Sequence, residues 1–163
     1  MFSKLFNKPK ISHPILGEIV LKRNHWDGTQ LKIFGSDSVR VRVPGNADGP
    51  SNEAVAAIER VGDPSCSLMQ ECAKKLYDEH YINGRQAADA GEFDDMEEYP
   101  DIASSEQIWD FAKVVSVVAD PYSTGEVTQI QIGVAAAWDV DHDLGIILQD
   151  GTITEFNGSI PPF

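Results

Sequence analysis

Two cysteines in 163 residues, Cys66 and Cys72, are too few to staple a fold. They stand six apart in a stretch whose apolar spacing predicts a helix, so their side chains would not face each other and no disulfide is expected between them. No apolar run approaches the roughly 20 residues that a membrane-spanning helix needs. The first eight residues carry charges among their apolar positions and have no small-residue cleavage site, which is a poor fit to a signal peptide. These absences predict a protein of the cytoplasm, away from any membrane. Catalytic signatures are missing as well. The glycines Gly17, Gly28 and Gly35 are spaced as turns and form no phosphate-cradling loop. The four histidines are scattered with no His-x-x-x-His pair, and no serine or cysteine stands beside a matched base. The pattern leans away from an enzyme, and no cofactor is expected.

Positive charge is what the second half of the chain lacks. Residues 86–163 carry sixteen acids against Lys113 alone, whereas residues 1–42 carry eight Lys or Arg against three acids; the whole chain has net charge −13. Such a field repels phosphate backbones and excludes nucleic-acid binding through the C-terminal half, while it would attract and steer a basic partner. The plain alternative is that the acidity keeps the protein soluble.

What is present is patterning. A polar lead-in, residues 1–14, closes at His13-Pro14 and is expected to be flexible, since such termini are loosely held unless they pair with a sheet. Residues 15–163 are long enough for one domain with one core. Strands are predicted at Ile15–Leu21, Gln30–Phe34 and Ser38–Val43, with a turn at Asn24–Gly28. In the third, Val39, Val41 and Val43 share one face and Arg40 and Arg42 the other, so the sheet has a dry and a wet side. The arginines read as a solvated face or, more sharply, as a basic ligand-binding stripe. A turn-former cluster from Pro44 to Pro50 ends this segment.

Ser51 is a candidate N-cap for a helix with the stripe Ala54, Val55, Ala57, Ile58 and Val61, closed by a left-handed Gly62. Asp63-Pro64 restarts a helix to about Asn83 with Leu68, Met69, Cys72, Ala73, Leu76 and Tyr77 inward. An acidic surface loop is expected near residues 87–103, and Ser104 with Gln107 reads as a capping box before a short helix whose Trp109 and Phe111 are assigned to the core. Four strands follow. The strongest turn signal is Asp150-Gly151, because a type I′ hairpin needs positive φ at both central residues. Strands, then helices, then strands predict an α+β fold: a mainly antiparallel sheet with two to three helices on one face.

Two clusters are candidates for chemistry. Asp94, Asp95, Glu97 and Glu98 repel one another in the acidic loop and would make a docking surface for a basic protein. Asp139, Asp141, His142 and Asp143 alternate toward Asp150 with the ligand spacing of a calcium loop, so the alternative reading is a site for Ca or another hard divalent cation, or a metal-dependent hydrolase. Leu144 stands where that loop needs glycine, and strands flank it, which favours a polar hairpin whose aspartates accept backbone N–H bonds.

Trp138-Asp139-Val140-Asp141-His142-Asp143-Leu144-Gly145-Ile146, followed by Asp150-Gly151, resembles the C-terminal pattern of small bacterial domains of unknown function, in which Trp-Asp-x-Glu-His-x-Leu-Gly-Val precedes an Asp-Gly turn. The opening His13-Pro14-Ile15-Leu16-Gly17 and Trp26 are similar to the same group. Asp141 stands where that pattern has Glu, keeping the carboxylate but shortening its reach. The resemblance implies an α+β domain with no established activity, some of whose relatives are partners of bacterial toxins, and it adds no catalytic residue. The leading expectation is a non-enzymatic interaction module, of immunity type toward a basic toxin.

Overall fold

In the computed structural model, residues 8–63, 67–91, 99–120 and 128–157 are described. Two antiparallel meanders share one sheet. The first comprises β1 (Lys10–His13), β2 (Gly17–Lys22), β3 (His25–Ile33) and β4 (Ser36–Asn46), with the two-residue β5 (Gly49–Pro50) folded back on β4. The second comprises β6 (Ala112–Ala119), β7 (Gln129–Ala136), β8 (Asp139–Gln149) and β9 (Thr152–Asn157). They join at β4 and β6, the one parallel pair among the described residues, through Val41 opposite Val117. A parallel join needs a long crossover, and the helices supply it.

The crossover begins with α1 (Asn52–Gly62), whose N-cap Ser51 accepts the Ala54 N–H and whose stripe Ala54, Val55, Ala57, Ile58 and Val61 is buried. Gly62 stays helical, and the chain leaves through an extended Asp63 at φ −66° rather than through a left-handed glycine. Next, α2 (Leu68–Lys75), a π-turn (Leu76–Tyr81) and α3 (Ile82–Asp89) run end to end, six residues beyond the expected stop at Asn83. The reason is the π-turn. Inward residues step Leu68, Cys72, Leu76 and then Tyr81, so a step of five replaces the usual four and the Ile82 N–H bonds Tyr77 O. A single 3₁₀ turn (Ser105–Gln107) and α4 (Ile108–Phe111) return the chain to β6. Gln107 Oε1 accepts from the Ala103 N–H at 3.0 Å, one residue before the expected cap. Ile108 is buried, Trp109 half-buried and Phe111 exposed, so of the two aromatics assigned to the core one is at its edge and one outside it.

The sheet has the predicted dry and wet sides. Ile19, Trp26, Val39, Val41 and Val43 face the helices, joined by Ile132, Val134, Leu144 and Ile146 from the second meander. Each such side chain removed from water contributes about 1.5–3 kcal/mol. Two local expectations shift. Lys10–His13, assigned to the flexible lead-in, pairs with β2 as an edge strand, and the β2–β3 turn is Arg23-Asn24, so Trp26, Asp27 and Gly28 lie within β3. At the other end the Asp150-Gly151 turn holds φ of 52° and 78°, as a type I′ turn requires. No helix among the described residues is long and apolar enough to cross a membrane.

Candidate functional site

The wet face of the first meander is concave. A groove of about 480 Å³ is lined by Lys10, Lys22, Arg40 and Arg42 with Glu18 and Asp27, so four cations meet two carboxylates in a chain of opposite net charge. The register explains the gathering. Lys10 stands opposite Val20, Val20 opposite Asp27 and Asp27 opposite Arg42, so one row of outward side chains crosses four strands. Asp27 is its hub, with 11% of its side chain exposed. Arg42 donates to it through two nitrogens at 2.9 and 3.2 Å, Lys22 lies at 2.9 Å and His25 Nε2 at 3.5 Å. Burial works to raise the Asp27 pKa, but hydrogen bonds from Arg42 and Lys22 outweigh it and hold the carboxyl below its ordinary value. His25 is lowered by burial and by the surrounding cations, against the pull of Asp27. Arg40 lies flat across β6, where its Nε donates to Val115 O at 3.4 Å and its Nη2 comes within 3.8 Å of Asp143 on β8. Ser116 and Gly133 are the facing residues of the intervening strands, and their small size leaves the path open.

A second cluster sits where the π-turn meets the β7–β8 hairpin. Trp138 Nε1–H donates to His80 Nδ1 at 2.9 Å, which leaves the His80 proton on Nε2, 3.4 Å from Asp139 Oδ2. Both ring nitrogens are therefore engaged. Burial lowers the His80 pKa, while Asp139 pulls it the other way and loses. Behind His80, Tyr81 packs edge-on against Trp138, donates to Pro100 O at 2.8 Å and accepts the Ile102 N–H at 2.9 Å. Tyr99 reaches Tyr81 O at 3.2 Å through the gap above Gly84, where a Cβ would stand 2.1 Å from its hydroxyl. Burial, with Tyr81 and Asp139 nearby, pushes the Tyr99 phenol up to about 12.

The hairpin carrying Asp139 is polar, with an aspartate that accepts a backbone N–H, but it turns earlier than its acidic run suggests. Its turn is Ala137-Trp138, and Asp139 already lies in β8 opposite Ala136, while Asp143 lies opposite Ala135. Residues 140–142 thus have no partner on β7 and form a bulge. Asp139 pins it, because Oδ1 accepts the His142 backbone N–H at 3.2 Å and faces His142 Nδ1 at 3.1 Å. Val140 projects at its tip, 82% exposed, with Asp141 exposed beside it.

Of the residues singled out in the sequence, Asp139 and His142 meet, Asp141 points outward and Asp143 turns to Arg40. Among the described residues, no group of three or more His, Cys, Asp or Glu side chains is placed to hold a metal ion. Asp94, Asp95, Glu97, Glu98 and Cys66 lie outside the described residues. Sequence reasoning missed His80 and the hub role of Asp27. His80 lies 58 positions from Trp138, and no local pattern links them; Asp27 had been assigned to a turn.

Residues 15–159 match the family described as "Domain of unknown function (DUF6985)". The chain belongs to that family. Comparison with curated proteins and with solved structures gives no match. In this DUF6985 chain, the residues that carried the resemblance perform structural work. His13 Nδ1 accepts the Ile15 and Leu16 N–H groups and so caps the first hairpin, Trp26 Nε1–H ties β3 to Asn46 O, and Trp138 fixes His80.

Proposed function

We propose that this domain is a non-enzymatic protein-interaction module that offers the acidic tip of its β7–β8 hairpin to a basic partner surface, as an immunity-type protein offers itself to a toxin. The observation that supports it most is the bulge. It holds an 82% exposed valine with the exposed Asp141 beside it, on a segment braced from behind by His80 and Trp138. A rigid apolar tip costs little conformational entropy on binding, and the charge around it steers a cationic partner. The engagement of both His80 nitrogens speaks for a bracing histidine, since a general base needs one nitrogen facing its substrate. The acidic segment containing Asp94, Asp95, Glu97 and Glu98 adds four carboxylates to a chain whose net charge of −13 would steer the same partner.

The test is affinity capture from the native lysate at low and at moderate salt, with mass spectrometry as readout. A stoichiometric basic protein lost as salt rises, and lost from a Val140→Ala/Asp141→Asn double variant, is the expected result. Capture that survives both the salt and the double variant sinks the assignment of the hairpin tip.

A further inference from the structure

We propose that the groove on the wet face of β1–β4 is a binding site for a small phosphorylated polyol, of the size and chemistry of a sugar phosphate. This is independent of the hairpin reading and concerns the opposite sign of charge.

Three observations converge on it. The first is concentration of charge. Lys10, Lys22, Arg40 and Arg42 line one concavity with Glu18 and Asp27, Lys10 paired to Glu18 at 2.6 Å and Arg40 lying 3.8 Å from Asp143, so cations still exceed carboxylates by one although the chain as a whole is strongly acidic. An excess of positive charge inside a cleft is focused by its low-dielectric walls. The second is construction. Asp27 grips Arg42 bidentately and Lys22 at 2.9 Å, and Val115 O holds the Arg40 guanidinium against β6, so the cations stand on rigid strands in fixed places. A phosphate would meet guanidinium groups already oriented by Asp27 and Val115 O, and preorganisation reduces the entropy lost on binding. The third is the rest of the lining. Among the described residues, Thr29 and Gln30 add a hydroxyl and an amide to the lining, and Val20 is its one branched aliphatic side chain. Hydroxyl-bearing ligands find donors and acceptors there, including Glu18 and Asp27. The volume of about 480 Å³ is that of a small-molecule site.

The test is a titration of the full chain, followed by amide chemical shifts at low salt, with glucose 6-phosphate, inorganic phosphate and glucose in separate arms. The expected result is saturable shifts confined to β1–β4 and β6 with the sugar phosphate, weaker binding of inorganic phosphate and none of glucose. Arg40→Gln and Lys10→Gln each remove an exposed cation without touching the Asp27 hub, and together they should weaken binding by about tenfold. Lys32→Gln removes an equal charge from an exposed position outside the groove and should leave affinity unchanged. No saturable shift with either phosphate overturns the site. Inorganic phosphate binding as tightly as the sugar phosphate overturns the polyol class. Equal weakening by Lys32→Gln assigns the attraction to the general field of the basic N-terminal region, and the groove then loses its role.

Discussion

Asp27 and Asp139 occupy similar positions in the two meanders: each sits in a strand, each is mostly covered, at 11% and 19% side-chain exposure, and each gathers its neighbours around one carboxylate. Their partners differ in kind. Asp27 bonds Arg42 and Lys22, which stay charged at any ordinary pH, with His25 as a third neighbour at 3.5 Å, whereas the partners of Asp139 are both imidazoles, His80 and His142. The first is therefore a permanent joint of the basic groove. The second is a joint that a proton can alter, placed under the tip of an acidic hairpin. The same residue type on the same sheet has been given opposite sensitivities by what the neighbouring strands and helix bring to it.

The strongest way to break this comparison is Asp27→Asn. It keeps the shape but leaves Arg42 and Lys22 in a half-covered groove without their counter-charge, so a loss of about 2–3 kcal/mol is expected in urea unfolding. Asp139→Asn removes a carboxylate whose buried partner is already neutral, and should cost about 1 kcal/mol. Equal costs for the two would mean that the charge state of the partner is irrelevant and that only the hydrogen-bond count matters.

Acid separates them next. His80 and His25 both have folded pKa values below the ordinary 6.5, so below that value the unfolded chain binds more protons than the folded one. The stability they contribute is complete above pH 6.5 and is lost as pH falls from there through their folded values. Asp27 is also lowered, from 3.8, so its contribution is complete above that pH and is lost as pH falls through its folded value. Two stages of acid loss are expected, a shallow one starting near pH 6.5 and a deeper one starting near pH 3.8. Trp138→Phe removes the indole N–H that keeps a proton off His80 Nδ1. It should cost about 1 kcal/mol near neutral pH, and in imidazole NMR should move the His80 titration up toward 6.5. The shallow stage would then shrink while the deep one stays. An unmoved His80 titration would show that burial alone sets its protonation and that the indole contact has no part in it.

How much of this was legible in the chain depends on range. The Val39, Val41, Val43 face, the Ser51 cap and the Asp150-Gly151 turn are set within a few residues, and periodicity and turn chemistry read them correctly. The π-turn left a trace too, since Leu76 and Tyr81 are five apart where a helix wants four, but only an alignment of the stripe with a packed partner shows it. The two hubs were out of reach. Asp27 becomes one because antiparallel register sets it opposite Arg42, and Asp139 because a helix 58 positions away places His80 beneath Trp138. A second cause is the bulge at residues 140–142: alternation along Asp139, Asp141 and Asp143 offers a converging set as its alternative reading, but the bulge turns Asp139 to His142 and Asp143 to Arg40 and leaves Asp141 exposed.

Asp143 tests the comparison at the point where its two halves touch. The contact it makes with Arg40 spans 3.8 Å between side chains 31% and 40% exposed, and the guanidinium is anchored in any case by Val115 O. Exposed pairs of this kind contribute little, so Asp143→Asn should change stability by no more than about 0.5 kcal/mol in either direction. Its effect on the groove should be easier to see than its effect on the fold. Asp143 competes for the Arg40 guanidinium, and removing that competitor should tighten glucose 6-phosphate binding about twofold, the affinity equivalent of the same small energy. A variant that loses stability on the scale of Asp27→Asn would make Arg40–Asp143 a structural joint between the meanders. The groove would then end at Arg42, and its anion-binding power would rest on three cations rather than four.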